Sequence, residues 1–129
     1  MTDQNPFEAM MKMGQDWAKV MNAEAFTPKG FEALWPTMPK ETMEMFFGTG
    51  INPGGLDAKT RLLLTLTALT VLGAQAEAQI RLTVRHLVEA EATKQEIAEA
   101  IAQMGMFAGV PAMTKAMELA NDVLEKDET

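Results

Sequence analysis

The chain has 129 residues, of which 47% are hydrophobic and 22% are charged, as in an ordinary folded domain. Its net charge is −7 and no basic patch is visible, so we predict that it binds neither nucleic acid nor an anionic membrane surface. It contains no cysteine, which excludes disulfides, thiol nucleophiles and thiolate metal sites.

The opening residues lack the basic and apolar segments of a signal peptide. The longest apolar run, residues 62–72, contains three threonines and is too short to span a bilayer. We therefore expect a cytoplasmic protein that does not enter a membrane.

Helix signals dominate the chain, and no long alternating run of β-branched residues is present, which predicts an all-α fold. Asn5 can cap a first helix whose apolar residues recur at helical spacing. Residues 26–39 contain three prolines and a glycine, which favours a linker. A second helix is predicted from Pro39 to about Phe47, and a segment rich in glycine, residues 48–55, ends it.

Four further helices are predicted, giving six or seven in all. Asp57 can cap the first of them, whose apolar run should be buried nearly all round, and Gly73 ends it. The next runs from about residue 75 to residue 90. Thr93-Lys94-Gln95-Glu96 is a capping box that opens the third, and Pro111 lies in the first turn of the last.

Four segments in a fixed order carry a family resemblance. They are Leu56-Asp57-Ala58-Lys59-Thr60-Arg61, Leu72-Gly73, Ala92-Thr93-Lys94-Gln95-Glu96-Ile97 and Gln103-Met104-Gly105-Met106-Phe107-Ala108-Gly109-Val110-Pro111-Ala112. In this order and spacing they resemble the carboxymuconolactone decarboxylase and alkylhydroperoxidase D-like family. The resemblance implies an alkylhydroperoxidase D-like helical bundle with one domain. It also implies a ring-like homo-oligomer, a homotrimer or homohexamer, with sites near subunit interfaces.

The resemblance and the composition together divide the chain into three parts. We predict a helical N-terminal extension at residues 1–55, a family core at residues 56–125 and a frayed tail at residues 126–129. The opening Asn5-Pro6-Phe7-Glu8, with Trp17, resembles phasin-type granule proteins. One interpretation of this second resemblance is a protein that coats an apolar particle through its first helix.

The family resemblance also indicates where chemistry would occur. Peroxide-reducing members carry a Cys-x-x-Cys pair followed by a histidine on the helix after the central one. Aligned backward from the capping box, Ala76 and Gln79 take the two cysteine positions and Thr83 takes the histidine position. The family has a carboxylate at the start of its central helix, and this chain has Leu62 at that position. Glu91 stands where the family has the glycine that ends the next helix. Thiol peroxidase chemistry cannot run without a thiol.

His86 is the only histidine, and it follows Thr83 by one helical turn. In one interpretation His86, with Thr83 and Gln79, transfers protons in a cofactor-free decarboxylase or isomerase of a small carboxylic acid or lactone. In the other, which we favour, His86 is a partly buried side chain whose hydrogen bonds are satisfied within the fold. A single histidine argues against a zinc or iron site, and we predict neither a metal nor a cofactor.

Arg81 and Arg85 share a helix face. They could bind the carboxylate of a small acidic ligand, or they could pair with Glu77 or Glu89 on the same helix. The loss of all three family residues favours a non-catalytic oligomeric scaffold or ligand-binding protein over an enzyme. The remaining large apolar side chains near the family motif are expected to pack in the core; they are Met104, Met106 and Phe107.

Overall fold

The computed structural model of the chain describes residues 5–21 and 36–128, so most of the predicted linker, residues 26–35, lies outside the described residues. Within them the chain is all-α and contains no strand, which confirms the predicted fold class. The helices are α1 (Pro6–Met21), α2 (Lys40–Phe47), α3 (Ala58–Val71), α4 (Glu77–Glu89), α5 (Lys94–Gln103), α6 (Gly105–Ala108) and α7 (Val110–Glu128).

The predicted caps explain where the helices begin. The Asp57 carboxylate accepts a hydrogen bond from the Thr60 amide at 2.9 Å at the start of α3. The Thr93 hydroxyl accepts from the Glu96 amide, and the Glu96 carboxylate accepts from the Thr93 amide, which closes a capping box on α5. Asn5 likewise accepts from the amide two residues further on. Each cap satisfies amides that have no partner within the helix.

Helices α3 and α4 end in the same type of turn. Gly73 has a φ of 99°, and the following Ala74 amide donates to the Leu69 carbonyl at 3.1 Å. At the end of α4, Glu91 takes the glycine position with a φ of 69°, and the next amide donates to the Leu87 carbonyl at 2.9 Å. This is the Schellman arrangement, which usually places glycine in the left-handed position.

The main core lies where α3, α4, α5 and α7 pack together. A second, smaller cluster forms where α2 covers the start of α3 and the end of α4, with Met43, Ala58 and Ala90 buried in it. Leu62 packs against both clusters and so connects them. The buried residues of the main core are Leu66, Ala74, Ile80, Val84, Leu87, Ile97, Ile101, Ala116, Leu119, Ala120 and Val123.

Two expectations about burial are wrong for the single chain. Helix α3 is not buried nearly all round, because Leu64 is 55% exposed and Leu72, just after the helix, is 74% exposed. Met106 and Phe107 do not pack in the core, although Met104 is half-buried. They lie on the one-turn helix α6, which ends at Gly109 with a φ of 90°, and this short turn directs both side chains outward.

The first helix, α1, and the last helix, α7, can also be compared with the predictions. Residues 5–15 of the α1 segment are exposed, whereas the side chain of Trp17 lies outside the described residues. Helix α7 runs to Glu128, so helix includes most of the segment predicted to fray. None of the described helices combines the length and the apolar character needed to cross a membrane.

Candidate functional site

Helix α4 places the three predicted site residues along one side. Gln79, Thr83 and His86 are spaced by four and three positions, which is close to one helical turn each. Thr83 and His86 are buried, at 7% exposure each, and Gln79 is half-buried. The structure therefore places these residues along one side of the helix, and it buries Thr83 and His86, the two that would transfer protons.

The Thr83 hydroxyl is engaged within its own helix. Its Oγ1 donates a hydrogen bond to the Gln79 carbonyl at 2.7 Å. This bond to the residue four positions earlier is the usual way in which a threonine satisfies its hydroxyl inside a helix. The hydroxyl proton is therefore already used in a hydrogen bond to a backbone carbonyl.

Both ring nitrogens of His86 are hydrogen-bonded to backbone groups. Nε2 lies 3.1 Å from the Met38 amide nitrogen, and Nδ1 lies 2.8 Å from the Leu82 carbonyl oxygen. An amide can only donate, so Nε2 must accept and must carry no proton. Nδ1 then bears the ring proton and donates to Leu82. These two contacts together fit the Nδ1–H tautomer of the ring.

The contact with Met38 gives His86 a clear structural role. It joins α4 to the segment just before α2, which is 48 positions earlier in the chain. Nearby, Lys40 Nζ pairs with Glu91 at 2.9 Å, so α2 is fastened to the end of α4 at two places. These bonds hold α2 over the small core cluster around Met43. Sequence reasoning considered a satisfied histidine but gave no indication of its partner.

Arg81 is directed toward α7 rather than toward His86. The Arg81 guanidinium lies 3.5 Å from the Asp122 carboxylate on α7. Arg81 and His86 are five positions apart, which puts them about 140° apart around α4. Arg85 is half-buried, with its Nε atom buried. A carboxylate held at Arg81 would therefore sit toward α7, away from the imidazole.

The remaining family positions are apolar. Ala76 precedes α4 and makes no side-chain cap. Leu62, at the carboxylate position, packs between the two core clusters. Neither side chain can exchange a proton, so this part of α3 and α4 contributes packing rather than reactive groups.

Ion pairs surround the start of α3 and the end of α4. Lys59 Nζ lies 3.1 Å from the Glu96 carboxylate, and the Thr93 amide and Lys59 together hold the pKa of Glu96 below its ordinary value. Lys40 lowers the pKa of Glu91, and Glu91 raises the pKa of Lys40. Each of these groups is at least partly open to solvent, so each pair connects neighbouring helices but adds little to stability. Sequence reasoning missed these pairs because their members are distant in the chain.

No group of three or more potential metal-ligand side chains forms among residues 5–21 and 36–128. An open groove of about 340 Å³ runs along the exposed side of α5. Its lining residues are Glu99, Ala102, Gln103 and Met106, so it does not include the predicted site on α4.

Comparison with known proteins places this all-helical fold in a family. The chain matches the carboxymuconolactone decarboxylase family over residues 36–122, and it belongs to that family. The matched region includes α2 as well as the helices from α3 to α6 and most of α7. The boundary predicted between residues 55 and 56 stays a prediction.

The chain is similar to the following three proteins. An uncharacterized 15.0 kDa protein of Paracoccus denitrificans is 53% identical over 133 residues, covering 99% of both chains. A 4-carboxymuconolactone decarboxylase of Acinetobacter baylyi is 35% identical over 71 residues, covering 55% of this chain and 52% of the enzyme. A nitrosuccinic acid decarboxylase of Metarhizium robertsii is 32% identical over 111 residues, covering 83% of this chain and 71% of the enzyme.

Proposed function

We propose that this chain is a non-catalytic, cytoplasmic member of its family that serves as an oligomeric scaffold or binds a small ligand. It would assemble as a homotrimer or homohexamer, as the family resemblance implies. The observation that carries the proposal is that Thr83 and His86, the two buried polar side chains of the candidate site, are already bonded to backbone. Thr83 donates to Gln79, and His86 is bonded at both ring nitrogens.

A general acid or base must reach its substrate within hydrogen-bond distance. To do so through Nε2, His86 would have to give up the Met38 amide, and that amide would lose its acceptor in a partly buried setting. Leaving such a group unsatisfied costs about 1–3 kcal/mol. A histidine held in this way supports a structural role rather than proton transfer.

The missing thiols support the same proposal from another direction. The chain has no cysteine, and the two positions that correspond to the redox pair are Ala76 and Gln79. A peroxidase cycle needs a thiolate as the nucleophile and a second thiol to resolve it. We therefore infer that the chain has lost thiol peroxidase activity.

A direct assay of turnover tests this proposal. The purified full chain would be incubated with two probe acids taken from the names of the relatives, 4-carboxymuconolactone and nitrosuccinic acid, and carbon dioxide release would be followed. We expect no release above the rate without protein. Turnover of either acid by the wild-type chain would overturn it, and a rate that falls in the His86→Ala variant would support the alternative that uses His86.

The alternative is a cofactor-free decarboxylase or isomerase of a small carboxylic acid or lactone that uses His86. It is favoured by the two relatives named as decarboxylases, one of which aligns with 83% of this chain. Arg81 or Arg85 would bind the acid, with Thr83 and Gln79 beside the imidazole. Under this alternative Arg81→Ala raises the KM for the acid while His86→Ala lowers kcat. A ligand-binding scaffold would instead show a thermal shift with the acid and no turnover.

A further inference from the structure

The bond between His86 and the segment before α2 depends on the charge of the imidazole ring. Nε2 accepts from the Met38 amide at 3.1 Å, and Nδ1 lies 2.8 Å from the Leu82 carbonyl oxygen. A protonated imidazole carries a hydrogen on each nitrogen and can only donate. In that state Nδ1 still donates to Leu82, but Nε2 faces the Met38 amide with two hydrogens opposed. Proton uptake by the ring therefore breaks the contact with Met38 and leaves the contact with Leu82.

The surroundings of His86 make a proton on the ring costly as long as the Met38 segment stays in place. His86 is 7% exposed, so water has little access to it. The two contacts of the ring are with backbone groups and supply no opposite charge. A buried charge without such a partner is unfavourable relative to the same charge in water. Water reaches the ring once the segment that carries Met38 moves away, so the proton favours the state in which that segment has left.

Histidine is the residue type that changes charge in the physiological range of pH, and this chain has one. The sequence contains one histidine and no cysteine. In model peptides histidine titrates near pH 6.5, aspartate and glutamate near pH 4, and lysine and arginine above about pH 10. A change in the fold between about pH 5 and pH 8 can therefore be traced to a single side chain.

The other charged groups around His86 leave this range of pH to the imidazole. The pKa of Lys40 is raised by Glu91, and the pKa values of Asp57, Glu91 and Glu96 are lowered, so all four move away from it. Charges that stay constant can displace the midpoint of a titration but cannot create one. The charged residues on α2, on α3 with its cap, on α4 with the residue after its end and on α7 up to residue 126 are Lys40, Glu41, Glu44, Asp57, Lys59, Arg61, Glu77, Arg81, Arg85, Glu89, Glu91, Lys115, Glu118, Asp122, Glu125 and Lys126.

The two ends of α2 are held differently. In its C-terminal half, the Glu44 carboxylate accepts from the Thr49 amide at 3.0 Å and from the Ala58 amide at 3.2 Å. These bonds connect α2 to the start of α3 and do not involve His86. The C-terminal half of α2 therefore keeps its attachment when the ring is protonated.

The N-terminal end of α2 depends on the contact with His86. Lys40 pairs with Glu91 there, but the two side chains are 39% and 74% exposed. A pair this open to water adds little to stability. The contact between Met38 and His86 is partly buried, so it is the polar contact at this end that water weakens least. Its loss frees this end of the helix.

We propose that His86 is a pH-sensitive switch for the docking of α2. The ring without its second proton holds the Met38 segment against α4. In mild acid the ring takes up a proton from water, the Met38 amide loses its acceptor, and the N-terminal end of α2 moves outward about the end that Glu44 holds. This movement uncovers the small core cluster, in which Met43 is 0% and Ala90 is 3% exposed. An apolar surface that is closed at neutral pH is then open to solvent.

The linkage between proton binding and opening sets the size of the effect. The open state binds one proton more than the closed state, so opening increases as the pH falls. For a histidine that titrates near pH 6.5 when exposed, the opening equilibrium rises about tenfold between pH 7.5 and pH 5.5. Above about pH 7.5 it levels off.

The first experiment follows amide hydrogen exchange by NMR in the full wild-type chain at several pH values from 7.5 to 5.5. The rates are corrected for the pH dependence of exchange in unstructured peptides. We expect opening at the Met38 amide to rise about tenfold. The amides of Leu66 and Ile80, in the main core, should keep their protection, because only α2 moves. An opening constant for Met38 that is the same at both ends of the range refutes the switch.

The second experiment observes the ring itself. Because the chain has one histidine, its ring ¹⁵N signals need no assignment among several residues. At pH 7.5 we expect the proton on Nδ1 and a bare Nε2, which is the form that accepts from Met38. A ring with its proton on Nε2 at this pH contradicts the proposal.

A pair of matched variants separates the imidazole from its neighbours. His86→Gln places a side-chain amide oxygen near the position of Nε2, where it can accept from Met38 but does not titrate. We expect this variant to keep the Met38 amide protected and to lose the tenfold response to pH. Glu89→Gln changes an exposed carboxylate one turn further along α4 and should keep the full response.

Each outcome decides for or against the switch. A response that persists in His86→Gln assigns the pH dependence to another group and rejects the role of His86. Loss of the response in both variants also rejects it, because the carboxylate of Glu89 would then be needed. If His86→Gln does not fold, the wild-type exchange profile and the ring spectrum decide without it.

Discussion

His86 Nε2 accepts a hydrogen bond from the Met38 amide at 3.1 Å, and this bond joins α4 to the segment that precedes α2. The only histidine of the chain, a natural candidate for catalysis from its residue type, is thereby part of the packing between α2 and α4. The position of Met38 next to the small buried cluster explains why this bond is protected from water.

Replacement of His86 should loosen α2. His86→Ala removes a buried ring and leaves the Met38 amide without its acceptor, so we expect the free energy of unfolding to fall by about 2–4 kcal/mol. Urea denaturation would measure this loss, and hydrogen exchange would show faster exchange at the Met38 amide. Glu89→Ala, at an exposed position of the same helix, is the control and should change little. Unchanged protection of the Met38 amide in His86→Ala would contradict the assignment.

The predicted site illustrates what sequence alone could provide. The spacing of Gln79, Thr83 and His86 was enough to place them on one side of α4, because helical periodicity is local. The partner of His86 could not be predicted, because a backbone amide 48 positions away leaves no mark in the residue type of Met38. Likewise, Arg81 finds Asp122 on α7 through tertiary packing, whereas sequence reasoning could consider only partners on its own helix.

The Glu44 carboxylate should also hold α2 in place. Its carboxylate accepts from the Thr49 amide at 3.0 Å, the Thr49 hydroxyl at 3.2 Å and the Ala58 amide at 3.2 Å, so it connects α2 to the following loop and to the start of α3. We expect Glu44→Ala to lower the free energy of unfolding by about 1–3 kcal/mol, because charge-assisted bonds to these groups are lost. Thermal unfolding would measure it, with the exposed Glu41→Ala on the same helix as control. Equal melting temperatures for the two variants would refute this role.

Glu91 holds a left-handed conformation that glycine adopts without steric cost, with a φ of 69°. Glu91→Gly removes a strain of about 1–2 kcal/mol but loses the Lys40 pair, which is worth little at this exposure, and adds backbone entropy to the unfolded chain. We expect a net gain in stability of up to about 1 kcal/mol. Glu91→Ala keeps the strain and loses the pair, so it should be the least stable of the three in urea denaturation. If the glycine variant proved less stable than the alanine variant, the strain argument would fail.

Three carboxylates whose pKa values are lowered in the fold predict how stability depends on pH. Hydrogen bonds from Thr60 lower the pKa of Asp57, and the pKa values of Glu91 and Glu96 are lowered as well. Between the lowered folded value and the ordinary value near 4, the unfolded chain binds more protons than the folded chain. The stability that these three groups contribute is therefore fully present above about pH 5 and is lost as the pH drops through the folded values.

A substitution at Glu96 tests this dependence. Glu96→Gln removes the titrating group, so we expect the free energy of unfolding, measured in urea at several pH values, to fall less steeply between pH 5 and pH 3. Glu118→Gln, at an exposed position of α7, serves as the matched control. A slope identical to that of the wild type in Glu96→Gln would show that Glu96 does not contribute.

The helix boundaries were predictable wherever a cap is local. Asp57 and the Thr93–Glu96 box act within four residues, and both were found from sequence. At Glu91 the residue type gives no sign of a left-handed conformation, and only the alignment with the glycine that ends this helix in the family pointed to it. The exposure of α3 was also missed, since an apolar run indicates burial without saying whether the same chain or a partner provides the cover.

The short turn between α3 and α4 has a consequence for the order of folding. These two helices pack together across residues 72–76, so little chain entropy is lost when they meet. The contact between Met38 and His86 closes a far longer loop. We therefore expect the α3–α4 hairpin to form early and α2 to dock late, so that α2 would be the first helix to detach when the chain is stressed.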